Sequence, residues 1–198
     1  MRLGYLYLDT GALYRAVAWK VQQAGGEPGS AESISALLKT TTILVEQQPE
    51  RTCVLVDGQD ITKELRTPEV SRLASVVSAI PAVREWLLPI QRNIARNGGL
   101  VAEGRDLGTR VFPGADVKFF LDASLEVRAA RRTLELTAAG RHVAVDQTSR
   151  EIEARDGRDR TRELAPLVPA PDARIIDTSN LQVDEIVDRM MDAIAAKL

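Results

Sequence analysis

Short unbroken apolar runs alternate along this chain with longer stretches in which apolar side chains recur at helical spacing. The run at 5–8 stops at Asp9-Thr10-Gly11, which predicts a buried strand ending in a turn that caps a helix over 12–23. Gly25 to Ser30 is a loop, and a short helix over 33–38 follows, N-capped near Ser30. From 41 to 57 the residues are rich in β-branched types and are interrupted by Gln47-Gln48-Pro49-Glu50, which predicts a small antiparallel hairpin. Thr67-Pro68-Glu69 opens another helix with proline in its first turn, and Pro81 separates it from a further helix over 83–96. Runs at 100–102 and 117–121 have the apolar character of strands buried on both faces. Ser124 opens a helix that Gly140 closes, 174–176 is a last strand, and 183–198 is an amphipathic final helix. Strands alternating with helices predict an α/β fold with a parallel, doubly wound sheet. The block over 26–95 breaks that alternation and is expected to be an inserted substrate subdomain within one domain spanning 1–198.

Composition narrows the function. At 198 residues, with 44% hydrophobic and 27% charged residues, the chain has the balance of a folded domain rather than a disordered tail. A net charge of -2 gives no global positive field, so neither nucleic acid nor an anionic membrane is an expected partner. One cysteine, Cys53, excludes an internal disulfide, and with one histidine, His142, it cannot build a structural zinc site. No apolar run approaches the roughly 20 residues of a membrane span. The start does not resemble a signal peptide, and the cytoplasm is the expected location. Of 26 basic residues only five are lysines, leaving 21 arginines. Arginine suits two-pronged recognition of phosphate and carboxylate, although a GC-rich genome would enrich it without any such purpose.

Three clusters set arginines and acids where strands end or helices begin, the usual place for ligands in open α/β sheets. The first carries Asp9, Thr10 and Arg15. The second carries Glu103, Arg105 and Asp106. In the third, Arg155, Asp159 and Arg162 fall at i, i+4 and i+7, on one helical face. Taken singly, the first is an ordinary helix cap and the third an ordinary solvated face. Together they match phosphoryl transfer, in which a protein mainly holds phosphates in line and neutralises their equatorial oxygens.

The same residues carry a resemblance. Tyr7-Leu8-Asp9-Thr10-Gly11-Ala12-Leu13-Tyr14-Arg15, the stretch from Ile61 to Ser75, Ala102-Glu103-Gly104-Arg105-Asp106-Leu107-Gly108-Thr109, and Arg155 through Ala173 (with Ala165-Pro166-Leu167-Val168-Pro169-Ala170) together resemble the bacterial cytidylate kinases. The resemblance implies a P-loop nucleoside monophosphate kinase fold, a parallel sheet with flanking helices and an inserted CMP-binding subdomain. It implies transfer from ATP, with Mg2+, to CMP or dCMP, by a monomer. Thr10 and Arg15 would contact the CMP phosphate and sugar, with Arg105 adding a phosphate contact. Ser75 and Arg84 would read the cytosine ring, and Asp106 would accept from its amino group. Arg155 and Arg162 would reach the transferring phosphate, and Asp159 the ribose hydroxyls. A lid over 131–160 would bring Arg131 and Arg132 onto the ATP phosphates. No metal ligand is assigned to the protein.

The chain contains no glycine–lysine pair, and therefore no G-x-x-x-x-G-K-[ST] phosphate loop. Against the family pattern, a first strand, loop and helix, about 20 to 30 residues, are expected to be missing ahead of Leu3-Gly4-Tyr5. That leaves sheet edges and an apolar sheet face to be uncovered. Two alternatives to a cytidylate kinase remain open. One is a non-catalytic CMP-binding or interaction protein; the other is a kinase for a different monophosphate such as UMP.

Overall fold

The computed structural model describes residues 2–48 and 52–197. Pro49 and Glu50 of the predicted hairpin interruption, and Leu198 at the end of the predicted final helix, lie outside the described residues. The chain divides into two compact units, Met1–Leu107 and Gly108–Leu198. In the first unit the order is β1 (Leu6–Asp9), α1 (Thr10–Gln23), α2 (Ala31–Leu38), β2 (Ile43–Gln47), β3 (Thr52–Val56), β4 (Gln59–Asp60), a 3-10 turn at Glu64–Arg66, α3 (Pro68–Val77), α4 (Pro81–Ile94) and β5 (Leu100–Glu103). The second unit opens with a π-type turn across the boundary at Leu107–Val111. It continues with β6 (Phe119–Asp122), α5 (Leu125–Ala138), α6 (Val145–Thr161), β7 (Arg174–Asp177) and α7 (Val183–Ala195).

The core of the first unit is organised around α1. Leu13, Ala16, Val17 and Val21 recur at helical spacing and are at most 1% exposed. They form one apolar cluster with Ile34 and Leu38 of α2, Val54 and Val56 of β3, Val70 and Val77 of α3, and Val83 and Leu87 of α4. The block over 26–95 therefore does not keep a core to itself; it shares one with the helix that precedes it. Among the described residues no single helix is long and apolar enough to cross a membrane. The α3–α4 pair is bent by 102° and contributes its buried faces to this core.

Local chemistry explains most boundaries. Ser30 Oγ accepts from Ser33 N at 3.3 Å, Thr67 Oγ1 from Val70 N at 3.4 Å, and Ser124 Oγ from Val127 N at 3.3 Å. Pro68 and Pro81 occupy first-turn positions, where a missing N–H costs nothing. The predicted hairpin is β2 against β3, with Ile43 opposite Val56. A second hairpin follows it, because Asp57 and Gly58 both take positive φ (51° and 82°) and turn the chain from β3 into β4. Asp-Gly is the sequence signal for such a two-residue turn. The Asp57 carboxylate accepts from Thr42 N at 2.7 Å and pairs with Lys20 of α1 at 2.8 Å, tying the turn to the helix.

The apolar runs pair in parallel, as expected of an α/β fold. β1 pairs with β5, Leu6 opposite Leu100 and Asp9 opposite Glu103; β6 pairs with β7, Phe119 opposite Arg174. They stand as two separate two-stranded sheets rather than one doubly wound sheet, each pair lying within its own unit. In the second unit α5 and α6 pack together, joined by an Arg128–Asp156 ion pair and by Thr133 Oγ1 donating to Thr148 Oγ1 at 3.1 Å.

Two measurements test this account. Leu13→Ala removes a fully buried side chain from the cluster and lowers stability by about 2–5 kcal/mol in urea unfolding. Lys20 and the Thr42 amide hold the Asp57 carboxyl below its ordinary value of 3.8. Its contribution is therefore complete above about pH 4 and is lost as the pH falls through the lowered folded value. Asp57→Asn keeps the left-handed turn but removes the charge. The variant loses up to about 1 kcal/mol at pH 7 and less at pH 3, so its urea midpoint converges on that of the unchanged chain in acid.

Candidate functional site

The carboxyl ends of β1 and β5 bring the first two predicted clusters together. Asp9 stands at the N-cap of α1, yet its side chain makes no cap hydrogen bond. It is ion-paired instead with Arg15, one and a half turns into the helix. This corrects the expected capping role: a guanidinium within reach is a stronger partner for a carboxylate than a backbone N–H. Gly11 leaves room for the pair, since a Cβ there would lie 2.9 Å from Asp9 Oδ1 and 3.0 Å from Arg15 Nη1. Arg15 Nε is buried and forms no hydrogen bond among the described residues, so the guanidinium keeps a donor in reserve.

Thr10 is buried, and its hydroxyl donates to the Glu103 carbonyl at 2.7 Å, fastening the start of α1 to the end of β5. Its proton is thereby used, and what it offers a ligand in this arrangement is its lone pairs. Gly104 makes this contact possible: a Cβ there would collide with Thr10 Oγ1 and stand 3.0 Å from Leu107 Cγ. The Glu103 carboxylate is hydrogen-bonded to the Tyr7 hydroxyl. Burial, that hydrogen bond and the charges of Glu103 and Asp9 all push the Tyr7 hydroxyl pKa upward, so it stays protonated as a donor. Sequence reasoning gave Tyr7 no role. Only the register, which sets β1 beside β5, places it near Glu103.

Arg84 of α4 and Asp106 beyond β5, both predicted to read the base, meet as a buried ion pair. Arg84 Nη2 lies 2.6 Å from Asp106 Oδ2, with the side chains 2% and 6% exposed. Arg84 Nη1 donates to the Ser78 carbonyl at 3.0 Å, and the guanidinium carbon sits 5.2 Å from the centre of the Tyr14 ring. Nε and Nη2 are buried and make no aligned hydrogen bond among the described residues. The Asp106 contact is therefore one of charge rather than of directed donation. Ser75 lies on α3, where its carbonyl accepts from the Ser78 hydroxyl at 3.2 Å, and Arg105 is exposed beside Asp106.

The third cluster forms in the second unit with one change. α6 ends at Thr161, so Arg162 is not on the helical face expected for it; it takes an extended conformation at the C-cap. From there it turns back, Nη1 donating to Asp159 Oδ1 at 3.0 Å and Nε to the Ala165 carbonyl at 2.6 Å. Asp159 and Arg162 are nearly buried. Arg155, 56% exposed, holds Nε 3.9 Å from Asp159 Oδ2, beyond hydrogen-bond reach. The two lid arginines differ from one another. Arg131 donates to Thr178 Oγ1 at 3.1 Å and to the Thr178 carbonyl at 2.6 Å, which fixes the segment after β7. Arg132 pairs with Glu135 at 2.9 Å on the open surface. Among the described residues no three His, Cys, Asp or Glu side chains converge as a metal site.

Gly104→Ala supplies the Cβ that Thr10 Oγ1 and Leu107 have no room for. It costs about 1–3 kcal/mol in thermal or urea unfolding, whereas the same change at solvent-facing Gly157, inside α6, raises stability by about 0.5–1 kcal/mol.

With this geometry in place, known proteins can be set beside it. The chain matches the cytidylate kinase family over residues 1–196. It is 46% identical over 190 residues to a cytidylate kinase of Desulfitobacterium hafniense (strain Y51), covering 96% of this chain and 82% of that protein. It is 44% identical over 196 residues to a cytidylate kinase of Syntrophotalea carbinolica, covering 99% and 83%. It is also 45% identical over 193 residues to a bifunctional pantoate ligase/cytidylate kinase of Synechococcus sp. (strain JA-3-3Ab), covering 96% of this chain and 36% of that longer protein. The chain belongs to the cytidylate kinase family.

Proposed function

We propose that this chain is a cytidylate kinase that accepts CMP or dCMP, takes the γ-phosphoryl group of ATP and releases CDP or dCDP, working as a monomer in the cytoplasm. The observation that carries the reading is the buried Arg84–Asp106 pair. Cytosine presents an amino group that donates and ring N3 and O2 atoms that accept; uracil reverses the first two, with O4 accepting and N3–H donating. Asp106 accepts from the amino group, while Arg84, with two buried nitrogens making no aligned hydrogen bond, donates to the ring acceptors. Uracil would set its O4 against the carboxylate, leaving a buried charge unmatched, which is costly. Because the pair is nearly closed to solvent, binding must uncover it, and part of the base's interaction energy goes into that opening.

Arg15 and Arg105 hold the acceptor phosphate, Arg15 with the Nε donor it keeps in reserve. Thr10 fixes the α1 start that presents Arg15. Asp159 accepts from the ribose hydroxyls, and Arg155 and Arg162 neutralise the equatorial oxygens of the phosphoryl group in flight. Ser75 adds a polar contact to the base from α3. The residues over 26–95 serve as the acceptor-side subdomain and those over 131–160 as the lid. Within the lid Arg132, with a solvent-exposed partner, is the better candidate for the ATP phosphates, since Arg131 is engaged by Thr178. No cluster of side chains among the described residues would hold a divalent ion alone, so magnesium is assigned to the donor, carried on the ATP phosphates.

A second reading has an observation in its favour. These 198 residues contain no glycine–lysine pair and so no backbone cradle of the G-x-x-x-x-G-K-[ST] type. The residues assigned here thus serve the acceptor and the transferring group, and a protein using only them would bind CMP without turnover.

Calorimetric titration with CMP and UMP, beside a coupled assay for CMP-dependent ADP formation, separates the readings. Tighter binding of CMP than UMP, lowered about tenfold in preference by Asp106→Ala, is the expected result. Equal affinity for the two nucleotides refutes the assignment of Asp106. Binding without ADP formation supports the second reading.

A further inference from the structure

Tyr14 has been given no role, and the geometry points to one. We propose that the Tyr14 ring is a positioning residue for base recognition, holding the plane of the Arg84 guanidinium so that its donors meet the ring acceptors of cytosine. The inference rests on the reading of Arg84 and Asp106 as the base-reading pair.

Arg84 is held first by two polar neighbours: the Ser78 carbonyl accepts from Nη1 at 3.0 Å, and Asp106 Oδ2 lies 2.6 Å from Nη2 without an aligned hydrogen bond. One directed hydrogen bond and one charge contact leave a planar group able to tilt. A tilt would keep the ion pair, which is insensitive to angle, yet swing the Nε donor away from any fixed acceptor. The group that opposes the tilt is the Tyr14 ring: the guanidinium carbon stands over its face, 5.2 Å from the ring centre, within the range of a cation–π contact. Tyr14 is held in turn by its place on α1, between Leu13, fully buried in the core, and Arg15, paired with Asp9. A ring anchored in a packed helix is thus set against a charged plane whose orientation decides whether it donates to one acceptor or to two. Two-pronged donation is what distinguishes a guanidinium from a point charge. Burial strengthens the effect, because Arg84 is 2% exposed and no water competes for its face.

Tyr14 therefore acts through Arg84 on base preference. The ratio of CMP to UMP affinity reports this role, since general loosening of the fold weakens both nucleotides alike. The experiment measures both dissociation constants by calorimetry for the unchanged chain, Tyr14→Phe, Tyr14→Leu and Asp106→Ala, with thermal melts confirming folding. Tyr14→Phe keeps the aromatic face and is expected to hold the ratio within about twofold. Tyr14→Leu removes it and is expected to lower the ratio about three- to thirty-fold. If Tyr14→Leu does not fold, Tyr14→Met, closer in length, takes its place. In an Arg84→Lys background, where no guanidinium plane remains, Tyr14→Leu should change the ratio no further. A lowered ratio in Asp106→Ala but not in Tyr14→Leu overturns the role of Tyr14 alone. A Tyr14→Phe variant as impaired as Tyr14→Leu also overturns it, since the hydroxyl would then carry the effect. An unchanged ratio in Asp106→Ala overturns the base-reading pair, and the role of Tyr14 falls with it.

Discussion

The buried charge of Arg84 sets the terms for the first unit. A guanidinium and a carboxylate withdrawn from water each give up several kcal/mol of hydration, and a buried pair persists only when its surroundings return that energy. Here the return comes from three places distant in sequence: Asp106 beyond β5, the Ser78 carbonyl between α3 and α4, and the Tyr14 ring on α1. The helix that carries Arg84 also supplies Val83 and Leu87 to the apolar cluster. Charge and core therefore constrain the same elements, and α4 cannot shift on the core without disturbing the pair. On the proposed reading, the base would replace these interactions in kind, donor for donor and acceptor for acceptor.

Arginine's second use in this chain is architectural. Arg84, Arg128, Arg131 and Arg162 each donate to a backbone carbonyl: those of Ser78, Ala123, Thr178 and Ala165. These carbonyls lie in turns or just past element ends, where no regular ladder satisfies them. A guanidinium can serve such a carbonyl and a carboxylate at once, as Arg162 does with Ala165 and Asp159, which a single ammonium does less well. The excess of arginine over lysine is thus no count of phosphate ligands. Arg131 shows the architectural use: whatever its part toward a nucleotide, its side chain donates to Thr178 and secures the segment after β7.

The elements themselves were legible because their signals are local. Ser30, Thr67 and Ser124 announce helices through caps that need only the next three residues, and the four parallel strands stand out as apolar runs between polar turns. The Asp57-Gly58 turn was equally legible, since Asp-Gly is itself the signal for a two-residue turn. What the sequence could not convey were choices between competing partners. Asp9 could cap α1 or pair with Arg15; the outcome depends on side-chain reach, and the ion pair prevails. Arg162 continues the periodicity of α6 on paper, yet the helix ends one residue before it. Tyr7 and Tyr14 read as ordinary apolar positions until the β1–β5 register and the approach of α4 give each a charged neighbour. Likewise the parallel pairings were foreseeable from the apolar runs, while their division into two sheets was not.

The link between Thr10 and Glu103 spans 93 residues, and the register pairs of β1 and β5 nearby span 94. A ribosome lengthening the chain at about 5–20 residues per second exposes β1 for roughly 5–20 seconds before its partner strand exists. Throughout that interval Leu6, Tyr7 and Leu8 form an apolar segment with unpaired backbone, and α1 next to them waits for α3 and α4 before its buried face is covered. The β1 ladder is therefore complete only after β5 has emerged, late in the synthesis of the first unit.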